Sequence, residues 1–508
     1  MKKYIIYLFS LSLILSSCTD MLDIEPENSI THYNYFKSEK DLMSLTYSMQ
    51  NQLKEAYFSN MRIAERGMVQ AHPNQLPKQI DYQLILKIAQ WSGIERDQHW
   101  GYYYKVIATA NLIIENVDAV PMEDKRKEFY KGVALFTRGF SYFNLVRSFG
   151  DCIYITEVDD IESKKSTPWR HVLDLAIADV EESAKYLDIW SKQVDEVGAA
   201  LITRQIPGVG AAYAVLAHMH AWMATFGGQE NEYLEKAIEY TNLVINGDER
   251  GPEFGLESNY EDVCQQSMIG KGSEVVYLID TNHEDGLYLF EIQGLTLIDD
   301  YTAYPVEPFS SPNDNVNLRR GITNAKVAEL YPDRDARAHS YFYKYGQPDA
   351  DMNALDLAYV YKRRDPLVVF NPNYNSDRYV RTKGDYPVFR LSGIILLRAE
   401  LLALAGQDGA AIEDLNTIRI RAGIDVFNSG NEILEDAIFR ERERELLLEG
   451  HRYFDILRGK RYFELLHGDI KDVTEQDVED GALFFPYNIH ATYNNTLLKQ
   501  MPFWSKYF

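Results

Sequence analysis

The sequence predicts a mainly α-helical protein whose second half contains a long, irregular, loop-rich region. Nine segments carry apolar residues at the spacing of three to four that gives a helix one apolar face. Two segments, 60–98 and 250–388, lack this spacing and are rich in Pro, Gly, Asn, Asp, Gln or His. The chain has 508 residues, of which 46% are hydrophobic. Such a chain can bury a large core, which excludes a disordered protein.

The predicted helices, in chain order, are 39–57, 100–119, 123–149, 168–188, 207–226, 231–246, 390–406, 409–422 and 431–465. Ser38 is a typical N-cap for the first helix, and Thr167-Pro168 begins the fourth. Pro121 separates the second helix from the third. One short strand is predicted at 274–279, where β-branched and aromatic residues follow one another.

The pattern of small and large residues favours helices that pack in successive pairs, as in tetratricopeptide-like helical repeats. Small residues on one helix let a neighbouring helix approach closely. The residues that indicate this packing are Phe136, Arg138, Tyr142 and Leu145 on one helix, and Ala211, Ala214, Ala217 and Ala221 on another. Irregular segments as long as 60–98 and 250–388 are usually functional in a compact chain, so we expect a ligand there.

The N-terminus has the pattern of a lipoprotein signal. Lys2 and Lys3 precede the apolar run from Tyr4 to Leu15, and Leu15-Ser-Ser-Cys18 follows the pattern of a bacterial lipobox. The run is shorter than the roughly 20 apolar residues that span a bilayer. An ordinary secretory signal is the alternative. In a lipobox, cleavage after residue 17 leaves Cys18 as an acylated N-terminus, and several acyl chains anchor a protein stably.

Charge and cysteine content limit the possible partners. Loss of residues 1–17 removes Lys2 and Lys3 and changes the formal net charge from −24 to −26. This acidity excludes a nucleic-acid-binding surface, which has to be basic. Cys152 and Cys264 are the cysteines that remain besides Cys18. They could pair in an oxidising compartment or remain buried thiols.

A charged motif from Arg440 to Arg458 is predicted to lie on the last long helix. Apolar and charged residues share one helical face there, at 4-3-4-3-4 spacing: Leu434, Ile438, Glu441, Glu445, Leu448 and Arg452. Because unpaired buried charges cost several kcal/mol, we expect Glu441, Glu445 and Arg452 to find partners of opposite charge on neighbouring helices. The motif is therefore predicted to be structural and not catalytic. A solvated helix with ion pairs along its surface is the alternative.

A series of short motifs spans nearly the whole mature chain. In order, they are Leu22-Asp23, Pro26, Asp41-Leu42, Trp100, Tyr104, Asn111, Arg138, Tyr142, Phe149-Gly150, Tyr331-Pro332, Asp335, Arg337, Arg390, Arg398-Ala-Glu400, Arg419, Arg421-Ala-Gly423, Glu441-Arg442, Glu445-Leu446, Glu449-Gly450, Arg452 and Asp455. With these motifs the chain resembles the SusD-like (SusD/RagB) family of nutrient-binding outer-membrane lipoproteins of Bacteroidetes. The acidic residues that follow Cys18 are similar to the tag that directs such lipoproteins to the cell surface.

The resemblance implies about four tetratricopeptide-like helix pairs in one domain, residues 18–508. Its expected parts are helical repeats at 19–250, an irregular ligand-side region at 251–389, and C-terminal helices with a tail at 390–508. It also implies a lipid-anchored protein in the outer membrane that faces the cell exterior and whose partner is a TonB-dependent, SusC-like transporter. The protein would bind a glycan and deliver it to that transporter. Capture of a peptide or glycoprotein, or a structural role without a ligand, are the alternatives.

Loop aromatics and polar neighbours are the candidate ligand contacts. In the family that the chain resembles, aromatic rings of loop residues stack on the ligand. The first irregular segment offers His72, Gln75, Tyr82 and Trp91, and the second offers Tyr288, Phe290, Tyr301 and Tyr304. Sugars present apolar C–H faces to such rings. The sequence contains no His-Glu-x-x-His, Gly-x-Ser-x-Gly, phosphate-binding or Cys-x-x-Cys motif, so we predict no enzyme, no cofactor and no metal site.

Overall fold

The computed structural model describes residues 36–61, 100–158, 162–228, 230–281, 322–332, 334–346, 357–371, 375–465, 473–487 and 495–506, together with single positions between 298 and 309 and residue 491. In this part of the chain, most residues are helical. The helices are α1 (Glu39–Ser59), α2 (Trp100–Asn116), α3 (Asp124–Phe149), α4 (Trp169–Tyr186), α5 (Val209–Ala224), α6 (Glu230–Asn246), α7 (Tyr260–Gln265), α8 (Asn324–Leu330), α9 (Ala336–Tyr341), α10 (Leu391–Leu404), α11 (Asp408–Ala422), α12 (Leu434–Glu445), α13 (Arg452–Arg458), α14 (Tyr462–Leu465) and α15 (Glu475–Glu479).

The long helices form four successive pairs: α1 with α2, α3 with α4, α5 with α6, and α10 with α11. Neighbouring pairs stack through α2 on α3, α4 on α5, and α6 on α10. The predicted mainly helical fold with paired helices is therefore confirmed. Ser38 begins α1 as predicted, since its backbone N–H donates to the Asp41 carboxylate at 2.8 Å.

Arg138 joins three of these helices. Its guanidinium, on α3, binds both carboxylate oxygens of Asp179 on α4, at 2.7 and 2.6 Å. The same group donates to the side-chain oxygen of Asn111 on α2 at 2.9 Å. Since all three side chains are buried, the bidentate pair satisfies charges that would otherwise destabilise the fold.

The strands are short and form two-stranded antiparallel sheets. They are β1 (Val275–Ile279), β2 (Ile322–Thr323), β3 (Leu357–Ala358), β4 (Pro366–Asn371), β5 (Ser376–Thr382) and β6 (Tyr386–Arg390). β1 pairs with β6, β2 with β3, and β4 with β5. β1 confirms the predicted strand. A second hydrophobic core, separate from that of the helical pairs, lies between α7, α9 and the β2–β3 pair.

The prediction of one helix over 431–465 is wrong. α12 ends at Glu445, and two shorter helices, α13 and α14, follow. The backbone turns between α12 and α13, where Leu448 and Gly450 have φ angles of +63° and +82°. A helix cannot continue through this left-handed conformation, so Glu441 and Glu445 share a face of α12, whereas Arg452 belongs to a different helix.

The two cysteines in the described residues do not pair with each other. Cys152 and Cys264 are both free, buried thiols. In the described residues, no helix is long and apolar enough to span a bilayer.

Candidate functional site

Most of the predicted ligand residues lie outside the described residues. These are His72, Gln75, Tyr82, Trp91, Tyr288, Phe290 and Tyr301, and the lipidation candidate Cys18 also lies outside. Tyr304 is described, and it lies half-buried among other tyrosines. It therefore provides the starting point for a candidate site.

Two extended segments beside Tyr304 carry the neighbouring tyrosines. Tyr343 N–H donates to the carbonyl of Tyr359 at 2.9 Å, and Tyr361 N–H donates to the carbonyl of Tyr341 at 2.7 Å. Between them, Phe342 and Val360 form an antiparallel bridge and are buried in the second core. Because side chains alternate along an extended chain, Tyr359 and Tyr361 lie on the face opposite to Val360, and the ring of Tyr343 packs against that of Tyr361.

We call Tyr304, Tyr343, Tyr359 and Tyr361 the tyrosine patch. The ring of Tyr304 lies 5.8 Å from that of Tyr343 and 5.5 Å from that of Tyr359, centroid to centroid. The rings of Tyr343 and Tyr361 are 5.3 Å apart. Tyr359 is 8% exposed, whereas the other three are half-buried and present part of each ring to solvent. Tyr343, Tyr359 and Tyr361 were not predicted as site residues, and the alternation in Tyr359-Val360-Tyr361 was a local signal for two of them.

Arg364 fixes one edge of the tyrosine patch. Its guanidinium lies 4.5 Å from the centroid of the Tyr361 ring and donates to the carbonyl of Ser340 at 2.8 Å. It also forms an ion pair with Glu261 on α7. The Lys344 ammonium lies 5.5 Å from the Tyr343 ring centroid. Cations over ring faces restrict the orientation of the tyrosines.

A set of buried charges lies next to this segment, and we call it the buried ion network. Its members are Glu274, Asp335, Arg337, Lys362, Arg390, Arg421, Glu441, Glu445 and Glu449. Arg337 is 2.6 Å from Glu441, and Arg421 is 2.7 Å from Glu445. The charges come from α9 and its N-cap Asp335, from α11, α12 and β6, from Glu274 directly before β1, and from the connecting segments that hold Lys362 and Glu449, so the network joins the helical scaffold to the second half of the chain.

Lys362 connects the buried ion network to the tyrosine patch. It follows Tyr361 directly, and its ammonium donates to the carbonyls of Glu445 and Leu447 at 3.1 and 2.9 Å. It also binds the Glu449 carboxylate at 2.6 Å. Burial alone would raise the pKa of Glu449, but the charges of Arg390 and Lys362 outweigh it and lower that pKa to about 2. The network therefore holds the backbone that carries two of the tyrosines.

Glu441, Glu445 and Arg452, which the sequence predicted to be paired, all contact groups of opposite charge. Glu441 and Glu445 both belong to the buried ion network, and Arg337 contacts both carboxylates. Arg452 lies apart, on α13, where it pairs with Glu443 of α12 at 2.8 Å. Within the described part of the chain, no group of three His, Cys, Asp or Glu side chains is arranged to hold a metal ion.

Two family models match this chain. The SusD family model matches residues 295–504, and a model described as starch-binding associating with outer membrane matches residues 20–220. Together they cover most of the sequence. The chain belongs to the SusD-like family. Within that family, it is 26% identical to SusD-like protein P38 of Formosa agariphila, over 90% of this chain and 92% of the relative.

Solved structures of SusD-like proteins have the same fold. A SusD homologue from Bacteroides thetaiotaomicron superposes with a TM-score of 0.72 at 22% identity, covering 92% of this chain and 98% of the other. Surface glycan-binding protein A from Bacteroides uniformis superposes with a TM-score of 0.67 at 17% identity, covering 92% of this chain and all of the other. The SusD fold therefore extends over nearly the whole chain.

Proposed function

We propose that this SusD-like protein is a cell-surface lipoprotein that binds a glycan and delivers it to a TonB-dependent, SusC-like transporter in the outer membrane. The observation that carries the proposal is the tyrosine patch, in which three half-buried tyrosines and the buried Tyr359 lie together on the irregular side of a SusD fold. On this proposal, residues 18–508 work as one unit, with helical repeats at 19–250 and a ligand side at 251–389. The protein binds its ligand without acting on it chemically, as SusD-like proteins are binding proteins.

The chemistry of the tyrosine patch suits a sugar. Pyranose rings have apolar C–H faces that stack on aromatic rings, and their hydroxyl groups bond to phenol oxygens and nearby donors. Tyr343 and Tyr361 are half-buried and offer ring surface, and Arg364 holds the Tyr361 ring from one side. In this proposal the patch is one part of the ligand-binding face, and Trp91 and Tyr288 of the irregular segments 60–98 and 250–388 are proposed as further ligand contacts.

The location and partner rest on other observations. The lipobox ending at Cys18 and the acidic residues behind it support a lipid anchor at the cell surface. One of the two matching family models is described as associating with outer membrane, and a structural relative is titled as a surface glycan-binding protein. A lipid-anchored receptor at that surface needs a transporter to pass its ligand inward. Copurification of the transporter with the tagged lipoprotein from membranes tests this pairing, and failure to recover any outer-membrane transporter contradicts it.

A glycan array tests the binding proposal. Residues 19–508 are screened beside the variants Tyr361→Ala and Trp91→Ala, with Tyr186→Ala of α4 as a control outside the patch. We expect at least one glycan that the wild type and the control bind and that Tyr361→Ala loses. Loss in Trp91→Ala alone overturns the patch as the site and places it in the first irregular segment. Absence of any glycan hit contradicts glycan binding and favours a peptide or glycoprotein ligand, or a structural role in the transporter.

A further inference from the structure

A cavity lies in the helical scaffold and is lined by residues that do not belong to the tyrosine patch. It has a volume of about 380 Å³ and opens between the C-terminal end of α5, the helices α6, α10 and α12, and the turn after α13. Cavities of this size are in the range that holds small ligands. The lining residues belong to the four-pair scaffold and its C-terminal neighbours, and none belongs to the irregular region 251–389.

The base of this cavity is apolar. Leu234 of α6, Leu404 of α10, and Ile438 and Phe439 of α12 supply aliphatic and aromatic surface. Ile438 is fully buried, whereas Leu404 is 54% exposed although it belongs to a helix that is otherwise mostly buried. An exposed leucine beside an apolar recess gains about 25 cal/mol for each Å² that a ligand covers, so an apolar group is favoured there.

The charges around the cavity divide into paired and unpaired groups. The Glu400 carboxylate receives two hydrogen bonds from Arg458, at 3.0 and 2.7 Å, and Arg461 forms an ion pair with Asp436. Among the described residues, Lys460 and Glu435 have neither an ion pair nor a side-chain hydrogen bond, and both line the cavity. The cavity therefore offers one available cation and one available anion next to an apolar base.

The backbone at Lys460 is held in an unusual conformation. Lys460 has a φ angle of +53°, in the left-handed region that non-glycine residues rarely adopt. Its N–H donates to the carbonyl of Leu457 at 3.1 Å, and the N–H of Arg461 donates to the carbonyl of Ile456 at 3.0 Å. These bonds close the turn after α13 and fix where the Lys460 side chain begins. Strained residues held in this way are often functional.

We propose that this cavity binds a small zwitterion with apolar side chains, namely a free amino acid or a dipeptide. The ligand carboxylate pairs with Lys460 and its ammonium group with Glu435. Its side chains cover Leu404 and the Phe439 ring. A neutral sugar uses neither charge and gains less from the apolar base, so this site has a different ligand class from the tyrosine patch.

Calorimetric titration of the mature chain, residues 18–508 in detergent, tests the proposal with matched probes. L-leucyl-L-phenylalanine carries both charges, and N-acetyl-L-leucyl-L-phenylalaninamide has the same side chains with neither charge. We expect the charged dipeptide to bind and the blocked one to bind at least about tenfold more weakly, because each charge pair at a partly desolvated site contributes on the order of 1 kcal/mol. Equal binding of the two probes, or no binding of either, overturns the proposal.

Variants locate the site. Lys460→Gln and Glu435→Gln remove one charge each at exposed positions and leave the core intact, and Leu404→Ser removes apolar surface. Each is expected to weaken dipeptide binding at least about fivefold, whereas Lys192→Gln, an exposed lysine outside the cavity, leaves it unchanged. Dipeptide binding that is unaffected by all three cavity variants overturns the assignment of the site. Because these variants retain the tyrosine patch, their glycan binding stays at the wild-type level, so the two proposals are tested independently.

Discussion

At the scale of single residues, Glu445 shows how this chain tolerates charge in its interior. The carboxylate is completely buried and lies 2.7 Å from Arg421, 3.3 Å from Arg390 and 3.4 Å from Arg337. The Tyr260 hydroxyl donates to it at 2.8 Å. Burial by itself would raise the pKa of Glu445, but the surrounding guanidinium groups dominate and hold that pKa far below its usual range. The residue is therefore a permanent anion on which three segments of the chain converge.

Removal of this charge is expected to destabilise the protein strongly. Glu445→Gln keeps the size of the side chain but leaves the three arginines short of a counter-charge in the interior. Breaking one partner of a buried ion pair costs about 3–5 kcal/mol, and we expect a loss in that range in the free energy of unfolding, measured with chemical denaturant. Glu435→Gln, at an exposed position without an ion-pair partner among the described residues, serves as the control and should change stability by less than about 0.5 kcal/mol. Equal effects of the two substitutions would contradict a stabilising role of the network.

The buried carboxylates also predict an acid-sensitive stability. Arginine neighbours, with Lys362 at Glu449, lower the pKa of Glu449 and of Asp455 to about 2 against the opposing effect of burial. Because the folded state binds protons less readily than the unfolded state, this stabilisation is fully present above about pH 4.5 and is lost as the pH falls toward 2. We expect Glu449→Gln to reduce the dependence of unfolding free energy on pH between 4.5 and 2. The exposed control Glu479→Gln should keep the wild-type dependence, and an identical slope in both variants would rule out this explanation.

At the scale of elements, the long amphipathic helices were predictable and the turns between charged segments were not. The predicted helices 39–57 and 123–149 match α1 and α3 within two residues at each end, because apolar spacing and the Ser38 cap are local signals. The segment 431–465 also has helical spacing throughout, but Leu448 adopts a left-handed conformation that no local sequence pattern predicts. Contacts of Lys362 with the carbonyls of Glu445 and Leu447 hold that turn, and such tertiary contacts cannot be read from spacing.

The residues of the candidate site could likewise be predicted from the sequence only in part. Tyr304 was selected because it lies in an irregular, aromatic-rich segment, which is a property of composition. Tyr343 and Tyr361 were missed because their common face depends on pairing between two segments that are separated in the sequence. Glu441 and Glu445 were selected because charges within an apolar stripe have to be paired. Arg337, which contacts both carboxylates, comes from α9, and its position depends on the fold of the second half of the chain.

The contact between α3 and α4 gives a prediction for one helix pair. A Cβ atom on Gly139 would lie 2.5 Å from Val180 Cγ2 and 2.9 Å from the carbonyl oxygen of Ala176. Gly139→Ala therefore has to push α4 away and should destabilise the protein by about 1–3 kcal/mol. Gly101→Ala on α2 has open space around the new methyl group, and should be neutral or stabilise by up to about 1 kcal/mol. Thermal and denaturant unfolding of both variants measure this difference, and a stable Gly139→Ala variant would contradict the close approach of the helices.

At the scale of the whole molecule, the fold separates scaffold from ligand face. The helical pairs form one core, and the second core supports the segments that carry the tyrosine patch. The buried ion network connects the two, since Arg390 at the end of β6 binds Glu449 beyond α12 at 2.7 Å. A rigid link of this kind keeps the ligand face in place on the scaffold. On the proposed function, the scaffold also places that face above the membrane to which Cys18 is attached.

The anchor predicts a simple change in location. Cys18→Ala removes the thiol that would carry the lipid and keeps the apolar run from Tyr4 to Leu15, which on the proposed function directs export. We expect the wild-type protein in the membrane fraction and accessible to protease on intact cells, and the variant in the soluble fraction. Separation of membranes by centrifugation followed by immunoblotting measures both. A variant that stays in the membrane fraction as the wild type does would show that another segment holds the protein there.

The affinity of tyrosine-patch variants for the glycan that the array identifies tests directly whether this patch is the ligand face. Tyr343→Ala and Tyr361→Ala each remove one half-exposed ring, and an aromatic contact contributes about 0.5–1.5 kcal/mol beyond its buried area. Calorimetry should give a roughly tenfold weaker affinity for each variant and an unchanged affinity for Tyr186→Ala, with all three proteins unfolding near the wild-type temperature. Wild-type affinity in both patch variants would contradict the tyrosine patch as the ligand face of this SusD-like protein.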